Sequence, residues 1–247
     1  VSWNWKAATT TGIDTTGSTI TPSSYSFNAT SGFSIIAYTG NGVAGALVPH
    51  GLGVVPKMII IKRLNDTNDW NIYHASLGNT DYMILNTYGA TQTATNRWND
   101  TTPTTVLFSL GTSDRVNGST DTYIAYCFAD VQGYSKLGGY IGNHNVDGPF
   151  IYTGFRPAYV LLKRTAVADS WNLFDSKRLG YNWDNEKLAP NNTSVGQTSN
   201  DFILLLSNGF KLTTTNTAIN NSDELNIYAA FADAPIANSN GVPSNAR

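Results

Sequence analysis

Cysteine, histidine and glutamate are scarce in this chain of 247 residues. The lone cysteine, Cys127, has no partner for an internal disulfide and leaves no cysteine-based metal site. The three histidines, His50, His74 and His144, are too far apart in sequence to form a local metal-binding pair. Only two glutamates occur, which argues against helices rich in Glu and Lys. We therefore expect no metal, no cofactor and few helices.

Charge and long apolar runs are also limited. Charged residues make up 13% of the chain, and the formal net charge is −2 at pH 7. A nucleic-acid partner requires clustered positive charge, and no run of Lys or Arg here exceeds two residues. Apolar stretches are short, as at 58–61 and 203–206, whereas a membrane-spanning helix needs about 20 residues. We therefore expect neither a nucleic-acid partner nor membrane insertion.

Uncharged polar residues take the place of the missing charges. The chain holds 30 Thr, 27 Asn, 22 Gly and 20 Ser. Thr favours strands, whereas Asn and Gly favour tight turns because they tolerate positive φ. This composition predicts an all-β protein in which polar turns join short strands.

The sequence repeats itself at an offset of 101 to 103 residues. The matching stretches are 32–34 with 133–135, 38–41 with 140–143, 53–63 with 154–164, 70–73 with 171–174, and 128–130 with 231–233. So many matches in nearly one register predict a duplicated domain.

Each copy has the size of one β-sandwich of about seven short strands. The sequence therefore predicts an all-β fold with two tandem β-sandwich lobes that are jelly-roll-like. The predicted divisions are a linker with edge strands at 1–31, a first lobe at 32–131, a second lobe at 132–236 and a polar tail at 237–247. Residues 122–130 carry apolar side chains on both faces, which predicts a central strand. Because the chain starts at Val1 without an initiator methionine, we expect it to be part of a longer protein.

Catalytic and metal-binding patterns are weak. Asn143, Asn145 and Asp147 place oxygen-bearing side chains before Gly148 as in half of a calcium loop, but the closing glutamate is missing. An ordinary turn is the favoured interpretation, with calcium as the alternative. The chain has no Gly-x-Ser-x-Gly motif, and its two glutamates do not occupy matching places in the repeat. We expect a protein that is not an enzyme, although a polysaccharide depolymerase stays open as a third possibility.

Aromatic residues offer a better route to binding, because an aromatic ring can stack on the apolar face of a sugar. Trp70 and Trp171 occupy matching places in the two copies, as do Tyr38 and Tyr140. Recurrence in both copies indicates a structural role. We expect these four side chains to pack inside the lobes.

Two aromatic pairs lie where the copies diverge: Arg97 with Trp98, and Tyr181 with Trp183. Divergent loops on a rigid scaffold commonly carry binding sites. We therefore predict Arg97, Trp98, Tyr181 and Trp183 as ligand-binding residues, with packing over the lobe ends or against another subunit as the alternative. If Trp98 is an exposed binding residue, its replacement by Ala should leave the melting temperature nearly unchanged.

Several phrases of the sequence resemble one family in combination. They lie at 3–7, 50–60, 123–129, 148–157 and 207–211. These phrases resemble a twin-repeat domain at the C-terminal end of tail-fibre and other virion structural proteins of marine bacteriophages, including cyanophages and pelagiphages. The resemblance covers nearly the whole chain and brings no catalytic residues with it.

The resemblance implies a virion appendage, located on the virion and outside the cell. We expect a tail-fibre protein or similar adhesin that recognises a host-surface receptor, in first place a glycan and otherwise a protein. The alternative is a non-catalytic structural or decoration protein that acts in virion or filament assembly. Other virion proteins are expected partners. A homo-oligomer is also expected, with a trimer favoured, because uncharged polar surface costs less to bury between subunits than charged surface.

Overall fold

A computed structural model describes residues 3–178, 182, 186–193 and 202–233. This part of the chain is nearly all β, with sixteen strands and three helices of four residues each. The strands of the first half are β1 (Ser24–Asn28), β2 (Phe33–Thr39), β3 (Ala46–Pro49), β4 (Met58–Arg63), β5 (Asn71–His74), β6 (Asp81–Ile84), β7 (Gln92–Thr93), β8 (Leu107–Leu110) and β9 (Thr122–Phe128). Those of the second half are β10 (Ser135–Ile141), β11 (Phe150–Tyr152), β12 (Tyr159–Arg164), β13 (Asn172–Asp175), β14 (Ile203–Leu206), β15 (Gly209–Leu212) and β16 (Leu225–Phe231). The helices are α1 (Thr95–Trp98), α2 (Asp114–Asn117) and α3 (Thr217–Asn220), all too short to cross a membrane.

The chain divides into two compact units. The N-terminal unit consists of Trp3–Leu85 and Thr91–Ala129, and the C-terminal unit of Asn86–Ala90 and Asp130–Arg247, within the described residues. A short segment of the first sequence copy, Asn86–Ala90, thus belongs to the unit that the second copy forms.

The N-terminal unit contains two antiparallel sheets. One has the strand order β1-β2-β9-β4-β5-β6-β7, and the other consists of β3 and β8. The predicted central strand is confirmed, since β9 lies between β2 and β4 with Ala125 and Cys127 fully buried. Side chains from both sheets, such as Ile61 and Phe108, form one apolar core.

The C-terminal unit repeats this arrangement. Its larger sheet has the order β10-β16-β12-β13, which matches β2-β9-β4-β5, and its smaller sheet has the order β11-β15-β14. The core between the two sheets includes Val160 and Phe210. The all-β fold with two sandwich-like lobes is therefore as predicted.

A buried asparagine at the end of a short helix joins loops in each lobe: Asn117 ends α2 and Asn220 ends α3. In the N-terminal unit, Asn117 accepts a hydrogen bond from the N–H of Asn41 (2.9 Å) and donates to the carbonyls of Val43 (3.0 Å) and Gly111 (2.8 Å). Its side chain thereby satisfies loop groups that no strand reaches. Asn220 is the counterpart in the C-terminal unit.

Asn220 makes the same set of contacts with different loops. It accepts from the N–H of Asn143 (2.9 Å) and donates to the carbonyls of Asn145 (2.9 Å) and Thr214 (2.6 Å). Both asparagines are fully buried. The duplicated sequence thus preserves a polar anchor as well as the apolar core.

Three of the four recurring aromatic residues are buried, as the repeat predicts, whereas Trp70 is half-buried and stacks on Tyr126 with 6.3 Å between ring centroids. Tyr38 is buried and donates to the carbonyl of Val116 (2.6 Å). Tyr140 is buried and donates to the carbonyl of Ile219 (2.8 Å), at the matching place. Trp171 is also buried.

Candidate functional site

Trp98 is a core residue of the N-terminal unit. Its side chain is only 2% exposed. The indole ring meets Tyr73 edge-on at 5.8 Å between ring centroids, and its Nε1 donates to the carbonyl of Asp81 (3.0 Å). The expectation that Trp98 offers a ring face to a ligand on the surface is therefore wrong in this structure.

Arg97 is buried beside it, at 8% exposure. Its guanidinium carbon lies 4.5 Å from the centre of the Tyr82 ring, and its Nη1 donates to Asn96 and Ser113. Burial lowers the pKa of this guanidinium from its ordinary value. Arg97, the predicted partner of Trp98, is thus also buried, and its guanidinium forms hydrogen bonds within its own unit.

Close backbone contact explains why α1 lies inside the unit. The N–H of Gly111, just after β8, donates to the carbonyl of Arg97 (2.8 Å). A Cβ atom on Gly111 would lie 2.3 Å from the carbonyl carbon of Asn96, so only glycine permits this approach. The neighbouring polar residues suggested a surface loop, but the glycine brings the Trp98 segment against β8.

Tyr181 and Trp183 lie outside the described residues. Their predicted role in ligand binding stays a prediction.

The histidines of the N-terminal unit have structural contacts. His50 is buried, its Nδ1 accepts from the N–H of Leu52 (3.2 Å), and its Nε2 lies 3.1 Å from the carbonyl oxygen of Thr104. Burial lowers the pKa of His50 to about 4, so the imidazole is neutral at physiological pH. His74 is also buried, and its Nδ1 accepts from the N–H of Ser76 (3.2 Å).

The segment that resembles half of a calcium loop is held by its own hydrogen bonds. The Asn143 side chain accepts from the N–H of Asn145 (3.1 Å), and the Asn145 side chain accepts from the N–H of Asp147 (2.9 Å). The Asp147 carboxylate pairs with Lys211. These oxygens build consecutive turns, which favours the ordinary-turn interpretation over calcium. In the described part of the chain, no three His, Cys, Asp or Glu residues are grouped as metal ligands.

The described part of the C-terminal unit contains a cleft of about 400 Å³. Its lining residues are Asn86, Tyr88, Pro190, Asn191, Asn192 and Thr193. None of them is charged. Tyr88 is 47% exposed and supplies the aromatic surface.

Two anchors hold Tyr88 at the cleft. Its carbonyl accepts hydrogen bonds from the N–H of Asp169 (2.8 Å) and from Nζ of Lys163 (3.5 Å). Lys163 is fully buried, and burial lowers its pKa to about 8. The Tyr88 backbone is therefore fixed while its side chain faces solvent.

The opposite wall is fixed through Asn191. Its Oδ1 accepts from the N–H of Trp171 (3.0 Å), next to β13. Its Nδ2 is buried and has no hydrogen-bond partner among the described residues. A buried amide without a partner is uncommon in folded proteins.

The cleft has the chemistry of a site for a neutral, hydroxyl-rich molecule. Amide and hydroxyl side chains both donate and accept hydrogen bonds, and the Tyr88 ring can stack on an apolar face. The absence of charge on the lining residues disfavours phosphate and other strong anions. A pyranose sugar combines both required features.

Sequence reasoning missed this cleft. Tyr88 and Asn191 lie about 100 residues apart, and neither belongs to a catalytic or metal-binding motif. The available signal was that both lie in Asn-containing loops where the two copies diverge, the same criterion that had selected Trp98.

Comparison with known proteins gives one result. No curated protein and no solved structure matches this chain. A family model does match residues 1–235, which is most of the chain. The chain therefore belongs to the family described as Domain of unknown function (DUF7483).

Proposed function

We propose that this chain is a binding domain of a bacteriophage virion appendage, a tail fibre or similar adhesin, and that it recognises a glycan on the host surface. The observation that carries the binding part of the proposal is the uncharged cleft formed by Tyr88 and the 190–193 segment. The virion part is supported by the resemblance of several sequence phrases to those of marine phage structural proteins. The proposal assigns binding and no reaction.

The cleft geometry suits one or two sugar units. A recess of about 400 Å³ is at the lower end of the range for small-molecule sites. Stacking on Tyr88 supplies the apolar contact, and the side-chain amides of Asn86 and Asn192 can form hydrogen bonds with sugar hydroxyls. A single site of this size binds a glycan weakly, and an appendage gains avidity by presenting several copies of the site.

The test uses the full chain and an array of bacterial surface polysaccharides and their oligosaccharides. We expect selective binding, and we expect Tyr88→Ala to weaken the affinity for the best oligosaccharide about 5- to 30-fold, which corresponds to about 1–2 kcal/mol. Tyr152→Ala is the matched control, because Tyr152 is another exposed tyrosine and lies outside the cleft. Absence of binding, or equal losses for both variants, would refute the glycan site.

A second candidate function is structural, as a decoration or assembly protein. It is favoured by the exposed aromatic residues Phe150 and Tyr152, which are 45% and 62% exposed on one short strand. Electron microscopy of virions labelled with an antibody to this chain separates the two: labels at fibre tips support the adhesin, and labels spread over a shell or tube support the structural role.

A further inference from the structure

The small sheet of the C-terminal unit has an apolar outer face. Phe150 and Tyr152 point outward from β11, because the residue between them, Ile151, is buried in the core. Across the sheet, Phe150 lies in one row with Lys211 and Leu204. We name this surface the β11 face.

The second row of the β11 face protrudes less than the first, because its middle position is a glycine. It runs from Tyr152 through Gly209 to Leu206. Because Gly209 has no side chain, the Phe150 ring lies over it, and a Cβ atom there would be 2.8 Å from Cζ of Phe150. Leu204 and Leu206 are half-buried, so four apolar side chains border the face.

Beside this face, β11 has a free edge. In the sheet order β11-β15-β14, one side of β11 pairs with β15 and no described strand pairs with the other side. The carbonyl of Pro149 and the N–H of Thr153 bond toward the β15 side. Backbone direction alternates along a strand, so the N–H and C=O groups of Phe150 and Tyr152 face the free edge.

The N-terminal unit shows what such an edge binds. There the corresponding strand is β3, whose Val48 faces Phe108 across the ladder as Ile151 faces Phe210. The carbonyl of Leu47 on β3 accepts from the N–H groups of Thr19 and Ile20 (3.0 Å each). A bend of the same chain, at Thr19 and Ile20, thus covers the first edge.

We propose that the β11 edge is covered by β11 of a second copy of this chain, in an antiparallel pair around a two-fold axis at Ile151. In this register Phe150 of one copy lies opposite Tyr152 of the other, twice. Each such pair can exchange two backbone hydrogen bonds, and the aromatic side chains meet across the strands. The contact is isologous, as in most protein dimers.

Charge and strand length favour a second copy over an unrelated partner. The Lys211 ammonium beside the face is neutralised by Asp147 of the same chain, so two copies of the face do not repel each other. The strand has three residues, and both of its exposed positions are aromatic, which fits a register centred on Ile151. A pairwise contact also differs from the trimer expected for a virion fibre, and the mass of the assembly distinguishes them.

The experiment measures the mass of the full chain by sedimentation velocity over a concentration series. We expect a dimer that forms at micromolar concentration, since the contact is small. The double variant Phe150→Lys/Tyr152→Lys should weaken dimerisation at least about 10-fold, because like charges then lie opposite each other.

The matched variant is Phe150→Glu/Tyr152→Lys. It removes the same two aromatic rings, but in the proposed register each introduced carboxylate lies opposite an introduced ammonium group of the second copy. It should therefore dimerise more tightly than the Lys/Lys variant, and circular dichroism should show both variants folded.

A monomeric wild-type chain at about 100 µM would overturn the proposal, since a specific contact of this size should be detectable there. Equal behaviour of the two double variants, or a trimer that neither variant affects, would also overturn it. Tyr88→Ala is expected to leave the mass unchanged, so a failure of the glycan proposal and a failure of this one can be told apart.

Discussion

Replacement of Trp98 by Ala should destabilise the N-terminal unit strongly. The side chain is 2% exposed, packs edge-on against Tyr73 and donates to the carbonyl of Asp81. Removal of a buried tryptophan costs about 3–5 kcal/mol, because burial is lost and a cavity is left. A domain of ordinary stability has about 5–15 kcal/mol in total, so the variant should retain only part of it.

Urea unfolding followed by circular dichroism measures this loss. With a slope of about 1.5 kcal/mol per molar urea, a loss of about 3–5 kcal/mol lowers the midpoint by about 2–3 M. We expect the two compact units to unfold in separate transitions, so the shift should affect one of them, and Trp171→Ala should affect the other. Trp98→Phe should cost less than Ala, since it keeps a ring and loses the hydrogen bond to Asp81.

Tyr88→Ala is the control, because Tyr88 is exposed and its anchoring contacts are made by its backbone. We expect its free energy of unfolding to stay within about 0.5 kcal/mol of the wild-type value. A Trp98→Ala variant with an unchanged midpoint would refute the assignment of Trp98 to the core and would restore the surface site expected from the sequence.

Three other predictions concern buried polar groups. Asn117→Ala should lower the free energy of unfolding by about 3 kcal/mol, at about 1 kcal/mol for each of three lost hydrogen bonds. Asn220→Ala should cost the other unit as much, and denaturation midpoints of the two variants measure both losses. As the pH falls from 6.5 to 4, His50 should lower the free energy of unfolding by up to about 3 kcal/mol, because its folded pKa is about 4 and the unfolded chain binds the proton first. His50→Gln should remove this pH dependence from unfolding curves recorded across that range. Cys127 should not react with a thiol reagent at pH 8 in the folded protein, since burial raises its pKa to about 12, and rapid labelling without urea would contradict its burial in β9.

Composition and the repeat were sufficient to predict the fold class. Few glutamates and many Thr, Asn and Gly residues indicated strands and turns, and the repeat supplied the two lobes. The apolar alternation at 122–130 also located β9 at the centre of its sheet. These features depend on local chemistry and on periodicity, which sequence shows directly.

The prediction of a surface site at Arg97 and Trp98 failed because tertiary contacts decide their burial. Trp98 stands among polar residues, and a four-residue helix is too short to show an apolar face by periodicity. Its burial depends on the close approach that Gly111 permits. The cleft depends on loops distant in sequence, and no pattern within either loop indicates that Tyr88 and Asn191 line the same recess.

The membership of Asn86–Ala90 in the C-terminal unit sets an order of events during synthesis. This segment leaves the ribosome about 100 residues before Asn191, so at about 5–20 residues per second it waits on the order of 5–20 s for the rest of its unit. The first sequence copy can complete its own sheets during this interval, whereas Lys163 and Asp169 bind the Tyr88 carbonyl only after they emerge. A fragment that starts at Asp130 would lack this segment permanently, and its Lys163 ammonium would lose the carbonyl that it contacts.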